Sequence, residues 1–180
     1  MIKIFVKALF FLILLNVKAF SEVISNFDIS GNKRISQQTI LVLGDFSKGK
    51  DYNTSELNES LRKLYSTNFF SDIKISLDNG ILKIVVVENP IIEDIEITGI
   101  KNKNFLESIQ KAIVLKNRMS FTENQLKSDI DLIKNILKTN GFYFTTVNSS
   151  LEKNENLNSV RLKLEVDQGL RARIKEIVFL

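Results

Sequence analysis

The stretch ILKIVVVENPIIEDIEITG, Ile81 to Gly99, decides how the chain divides. In its first half Lys83 sits among Leu82, Ile84, Val86 and Val87, the composition of a strand buried on most of both faces. Pro90, the only proline, stops that strand. Ile95 and Ile97 then alternate with Asp94, Glu96 and Thr98, a half-buried strand that Gly99 closes. Strand, proline, strand marks the end of one folding unit and the start of the next.

Working outward from that junction, the chain repeats itself. Ile24, Phe27, Ile29 and Gly31 return 68 residues later as Ile92, Ile95, Ile97 and Gly99, with Ser30 answered by Thr98. Tyr52, Asn53, Glu56 and Leu57 match Phe121, Thr122, Gln125 and Leu126 at a spacing of 69. Both quartets predict helix starts. Asn53 or Thr122 is the N-cap, Glu56 or Gln125 completes a capping box, and the flanking pair Tyr52/Leu57 or Phe121/Leu126 forms a hydrophobic staple. Leu57, Leu61 and Leu64, and then Leu126, Ile130, Ile133 and Leu137, fall on one face of each helix. Leu61 is thus expected in the core, with a cost of about 2 to 5 kcal/mol on truncation to alanine, and Leu132 outside it. Asn68 and Gly141 end the two helices, as left-handed C-terminal positions require.

A shorter helix precedes each of these. Ser36 caps one that carries Ile40, Leu41 and Leu43 and stops at Gly44; Asn104 and Glu107 predict a capping box ahead of Leu106, Ile109 and Ile113. Two strands follow the second helix. Ile73, Ile75 and Leu77 alternate with Lys74 and Ser76, and Asp78-Asn79-Gly80 supplies a hairpin turn before Leu82. The second copy has Val147, Ser149 and Leu151, a polar loop from Glu152 to Asn158, and then Val160, Leu162, Leu164 and Val166. The expected fold is α+β: tandem β-α-α-β-β units, each a three-stranded mixed sheet covered by two antiparallel helices. The most apolar strand belongs in the middle, which leaves the second strand of each unit at an open edge.

The expected layout is a leader over 1–21, units over 22–90 and 91–169, and over 170–180 the first strand of a truncated third unit. That strand carries Ile174, Ile177 and Phe179, and the matching glycine would fall one position past the last residue. A lone strand has little to pack on, so the sequence is expected to be a fragment of a longer one. The leader rests on Lys3 and Lys7, an apolar run from Ala8 to Leu15, and small residues at Ala19 and Ser21, the order of a secretory signal peptide. Even from Ile4 the run is 12 residues, against the ~20 of a membrane span. Its loss removes three lysines and leaves 22 basic against 21 acidic side chains, so most of the net charge of +4 belongs to the leader. A nucleic-acid partner is therefore not expected.

With no histidine and no cysteine among 180 residues, the commonest general base, the commonest transition-metal ligand and thiolate chemistry are all missing. The reading is of a binding module and not an enzyme, with no cofactor. GDFSKGKD, Gly44 to Asp51, imitates a phosphate-binding loop but ends on Asp51 where Ser or Thr would ligate Mg²⁺, and it follows a helix instead of a strand. Glu93, Asp94 and Glu96 suggest a metal site by composition, but Asp94 and Glu96 are the polar face of an alternating strand and read as a solvated face. Asp129 and Asp131, two apart on a helix, do not share a face.

Tandem units of this kind behind a leader resemble the POTRA domains of the BamA family of outer-membrane protein assembly factors. The resemblance is carried by Ile24, Phe27, Ile29, Gly31 and Asn32; by Leu61, Leu64, Tyr65, Asn68, Phe69, Phe70 and Asp72; and by Val87, Glu88, Asn89, Pro90 and Ile92. Asn68 departs from the family's preferred glycine, and Ile100 follows Gly99 where Asn32 follows Gly31. The resemblance implies a periplasmic module that receives unfolded outer-membrane protein precursors and docks accessory assembly lipoproteins, ahead of an outer-membrane barrel that is not among these residues. The alternative is the same module in another outer-membrane transporter or secretion family, or in an anchored cell-division protein. Binding would run by β-augmentation along the open edges. Those edges are Ile73, Lys74, Ile75, Ser76 and Leu77 in the first unit, and Thr145, Thr146, Val147, Asn148 and Ser149 in the second. The competing expectation is a merely solvated edge, with Lys74 guarding it against aggregation.

Overall fold

A computed structural model of the chain describes residues 22–173. The expected leader and the strand expected at Ile174, Ile177 and Phe179 lie outside those residues. The chain divides into two compact units.

In the first, β1 (Glu22–Val23) pairs with β3 (Asp51–Tyr52) in a short antiparallel ladder. β2 (Asn26–Ser30) runs parallel to β5 (Ile81–Glu88), with Phe27 opposite Leu82 and Ile29 opposite Ile84. β4 (Phe70–Asp78) flanks β5 on its other side. Asn79 and Gly80, at φ 50° and 75°, make the tight turn between them, and two successive left-handed residues suit the twist of a hairpin. The chain between β2 and β4 forms α1 (Gln37–Leu43) and α2 (Thr54–Ser66). Ser36 caps α1 by accepting the Thr39 amide at 3.1 Å. At α2 the capping box is complete: the Asn53 side chain accepts from the Glu56 amide and Glu56 accepts from the Asn53 amide, both at 3.0 Å.

The core of this unit comprises Ile29, Ile40, Leu64, Ile73, Leu82, Ile84 and Val86 among others. β5 is buried on one face only, contrary to the two-faced burial expected of it. Leu82, Ile84 and Val86 point inward, while Val85 and Val87 are 46% and 52% exposed. Leu64 is fully buried but Leu61 is half-buried, and so is Leu132 in the second unit. Leu61→Ala is accordingly expected to cost about 1 to 2 kcal/mol in urea unfolding, less than truncation of a fully buried leucine.

The second unit repeats the plan with β6 (Ile91–Thr98), α3 (Lys103–Ala112), α4 (Glu123–Thr139), β7 (Thr146–Asn154) and β8 (Ser159–Asp167). β8 is central, parallel to β6 and antiparallel to β7. Ile92 and Ile95 both turn toward the core at an odd spacing because the pairing with β8 skips Glu93, an extra residue in the ladder. Ile109, Ile133, Leu137, Leu162 and Leu164 are the centre of this core.

Three local expectations change here. α3 starts earlier than the Asn104/Glu107 box implied, because the Asn102 side chain accepts the amides of Asn104 and Phe105 and is the N-cap. Only half of the α4 box forms: Thr122 accepts the Gln125 amide, but the Gln125 side chain turns forward to Asp129. β7 extends through Asn154, so the polar loop shrinks to residues 155–158.

Each unit is thus β-α-α-β-β, a mixed three-stranded sheet with two helices. A further ladder, absent from the sequence reading, recurs in both. The Ile24 amide donates to Lys50 O and Gly49 to Ile24 O; 68 to 69 residues on, the Ile92 amide donates to Met119 O and Arg118 to Ile92 O. The chain entering each unit is stitched in this way to the segment leading into its second helix.

Candidate polypeptide-binding edges

β4 and β7 are outer strands, as the hydrophobicity of the three strands required. Along β4, Ile73 is buried, Ile75 and Leu77 are half-buried, and Lys74 and Ser76 are exposed. Lys74 stands 4.0 Å from Asp72 in an exposed ion pair of little energetic weight.

The edge is not uniformly open. Tyr65, near the end of α2, accepts the Ile73 amide on its hydroxyl at 3.0 Å. Strand residues address their two neighbours alternately, so Ile75 and Leu77 direct their backbone groups to the same outer side as Ile73. Among the described residues no backbone group outside the sheet bonds to either of them. The open part of the first edge is therefore Ile75 to Leu77. Tyr65→Phe is expected to speed amide exchange at Ile73 and to cost about 0.5 to 1.5 kcal/mol, read by hydrogen exchange.

β7 carries no such plug. Thr146, Asn148 and Ser149 are exposed and Val147 is half-buried, and β8 is the only backbone partner of 146–153 among the described residues. Counting back from Gly141 as Tyr65 counts back from Asn68 places Lys138 at the blocking position. Thr145 lies before the strand: its hydroxyl sits 3.1 Å from Phe142 O and 3.3 Å from Gln168 O, which fixes the entry to β7 and takes this residue out of the edge.

The open face of the second sheet is charged. Glu93 accepts from the Ser159 hydroxyl at 2.6 Å and from Arg161 Nε at 3.1 Å, and these contacts, the hydroxyl first, hold its carboxyl below the ordinary value. Lys163, 2.9 Å from Glu165, is held above its ordinary value by that carboxylate. Asp94 and Glu96 are exposed, in keeping with a solvated face. Among the described residues no group of three or more metal-ligating side chains gathers, and no helix is long and apolar enough to cross a membrane.

The phosphate-loop imitation is accounted for by its amides. Asp45 N donates to Val42 O, Phe46 N to Leu41 O, Ser47 N to Tyr52 Oη and Gly49 N to Ile24 O. Lys48 reaches Asn26, and Lys50 lies 4.7 Å from the centre of the Tyr52 ring. These groups build the loop itself and do not converge on a ligand.

Comparison with known proteins agrees with this architecture. The family model described as "POTRA: Surface antigen variable number repeat" matches residues 22–89 and again 90–169. The chain is 26% identical over 168 residues to an outer membrane protein assembly factor BamA from Neorickettsia risticii, covering 93% of this chain and 22% of the relative. It is 24% identical over 158 residues to the factor of the same name from Nitratidesulfovibrio vulgaris, covering 86% and 20%. The chain spans about a fifth of the length of these curated relatives. Its fold matches the N-terminal domain of Omp85 from the thermophilic cyanobacterium Thermosynechococcus elongatus with a TM-score of 0.56 at 15% identity, over 84% of this chain and 64% of that one. Two consecutive β-α-α-β-β units, each matched by the same family model, place the chain in the POTRA family.

Proposed function

We propose that the chain is the periplasmic, polypeptide-binding part of an outer-membrane protein assembly factor, with a leader over 1–21, units over 22–90 and 91–169, and a third unit beginning in 170–180. It receives unfolded β-barrel precursors and docks accessory assembly lipoproteins by pairing their extended backbones with its open strand edges. The observation that carries this reading is β7, a nine-residue edge strand with no backbone partner beyond β8 among the described residues, in a POTRA chain. Backbone pairing is indifferent to sequence, which suits a module that must accept many clients weakly.

The test is an NMR titration of the full chain with an extended peptide of alternating apolar residues. Amide shifts are expected at Ile75 and Leu77 and along 146–149, with weak, fast-exchanging binding. Absence of any shift at millimolar peptide overturns the proposal.

A further inference from the structure

The two units differ on the other side of their sheets, along the first strand. In the first unit Gln37 Nε2 donates to Ile29 O at 3.0 Å, and Phe46 buries its ring to 8% exposure. At the repeat offset of 69 the position of Phe46 is held by Leu115, a smaller side chain. Beside it lies a groove of about 390 Å³, its floor formed by Ile95 and Ile97 of β6 and by Ile113 and Leu115 after α3, its rim by the polar Gln110, Lys116 and Asn117, the last donating to the Asp94 carboxylate at 3.3 Å. The neighbouring backbone is open: among the described residues, β8 is the only backbone partner of Asp94–Thr98.

Charge on the opposite face of this strand selects what lies next to it. Asp94 pairs across the ladder with Arg161, and Arg161 with Glu152; Glu96 pairs with Lys163. Sign alternates across all three strands in the Asp94 row and from β6 to β8 in the Glu96 row, where Ser150 of β7 is neutral, and both β6 positions are acidic. A strand added beyond β6 continues the alternation if it sets lysine or arginine opposite Asp94 and Glu96, since opposite charges directly across a ladder attract. Its intervening side chains then point to the Ile95/Ile97 face, toward the apolar floor of the groove.

We propose that the outer edge of β6 is a second binding strand, taking an extended polypeptide in which apolar residues alternate with lysine or arginine. The inference rests on the polypeptide-binding reading but on a different edge from β7. It also assigns a selectivity that pairing by backbone alone lacks.

The test is an NMR titration of the full chain with two synthetic peptides, one alternating valine with lysine and one alternating valine with glutamate. The basic peptide is expected to shift the amides of Asp94–Thr98 and to bind roughly tenfold more tightly than the acidic one. Leu115→Phe, which restores the bulk that Phe46 supplies in the first unit, is expected to abolish those shifts, at some cost in melting temperature because Leu115 is buried. Glu96→Lys, a change on an exposed face, is expected to reverse the preference between the peptides, and carries the test alone if Leu115→Phe perturbs the fold. Equal affinity for both peptides, or shifts at 94–98 that neither variant alters, overturns the proposal. So does edge-to-edge dimerisation of the chain with no peptide bound. Shifts at 75–77 or along 146–149 without any at 94–98 sink this inference and leave the broader reading standing; shifts at none of the three edges sink both.

Discussion

Replacing Gly31 or Gly99 with alanine is expected to destabilise the chain by about 3 to 5 kcal/mol, at the upper end of what single substitutions do. Each glycine closes the first strand of its unit in the left-handed region, at φ 84° and 85°. A β-carbon at Gly31 would lie 2.0 Å from the carbonyl oxygen of Val86, and one at Gly99 1.9 Å from that of Val166. Neither oxygen can give way, since each belongs to the central strand of its sheet. Gly49 is the control. Its φ is 77°, yet a β-carbon there meets nothing within 4 Å, so Gly49→Ala carries only the conformational cost of about 1 kcal/mol. The second unit has already made an equivalent exchange: Arg118, at the offset of 69 from Gly49, holds φ 70°. Urea midpoints of the three variants separate the effects, and equal losses at all three positions would show that close approach is not the reason for glycine at 31 and 99.

That pair also shows what could be read without coordinates. Ile24, Phe27, Ile29 and Gly31 recur as a pattern because each has an intrinsic requirement, burial or a positive φ, that sequence expresses directly. The Asn79-Gly80 turn and the Asn53/Glu56 box are equally local, and the positions read for them are where they occur. The exposed valines of β5 were not legible, because a β-branched residue suits a strand whether its face is covered or open. β1 and β3 are two residues long, too short to show any period. At the edges, strand order followed from hydrophobicity, but hydrogen-bond use did not. Tyr65 blocks Ile73 from a helix eight residues earlier, and Gln37 covers Ile29 from the helix after it, through contacts that only packing defines. The candidate site was thus visible as a strand and invisible as a set of free amides.

Asp129 is the strongest case of a residue whose role comes from tertiary structure, and its removal is the second large effect expected. In sequence it is one of two acids spaced two apart on a helix that do not share a face, with no role assigned; in the fold it is 2% exposed on the inner side of α4. Its carboxylate accepts the amide of Val114 at 2.9 Å and that of Leu115 at 2.8 Å, and the Gln125 side chain donates at 3.0 Å. The two amides follow the end of α3, where the chain leaves its helix and can no longer satisfy them internally. Asp129 in effect caps the exit of one helix from the middle of another, fixing the loop that places Ile113 and Leu115 in the core. Alanine would strand two donors at once, at a cost of about 3 to 5 kcal/mol. Asparagine keeps one acceptor oxygen but turns an NH₂ group toward the other amide, so Asp129→Asn is expected to fall between alanine and the native chain. Chemical denaturation of both variants, with hydrogen exchange at Val114 and Leu115, tests the order. Equal stability of Asp129→Ala and the native chain would mean that solvent reaches those amides and that the α3–α4 loop does not depend on this carboxylate.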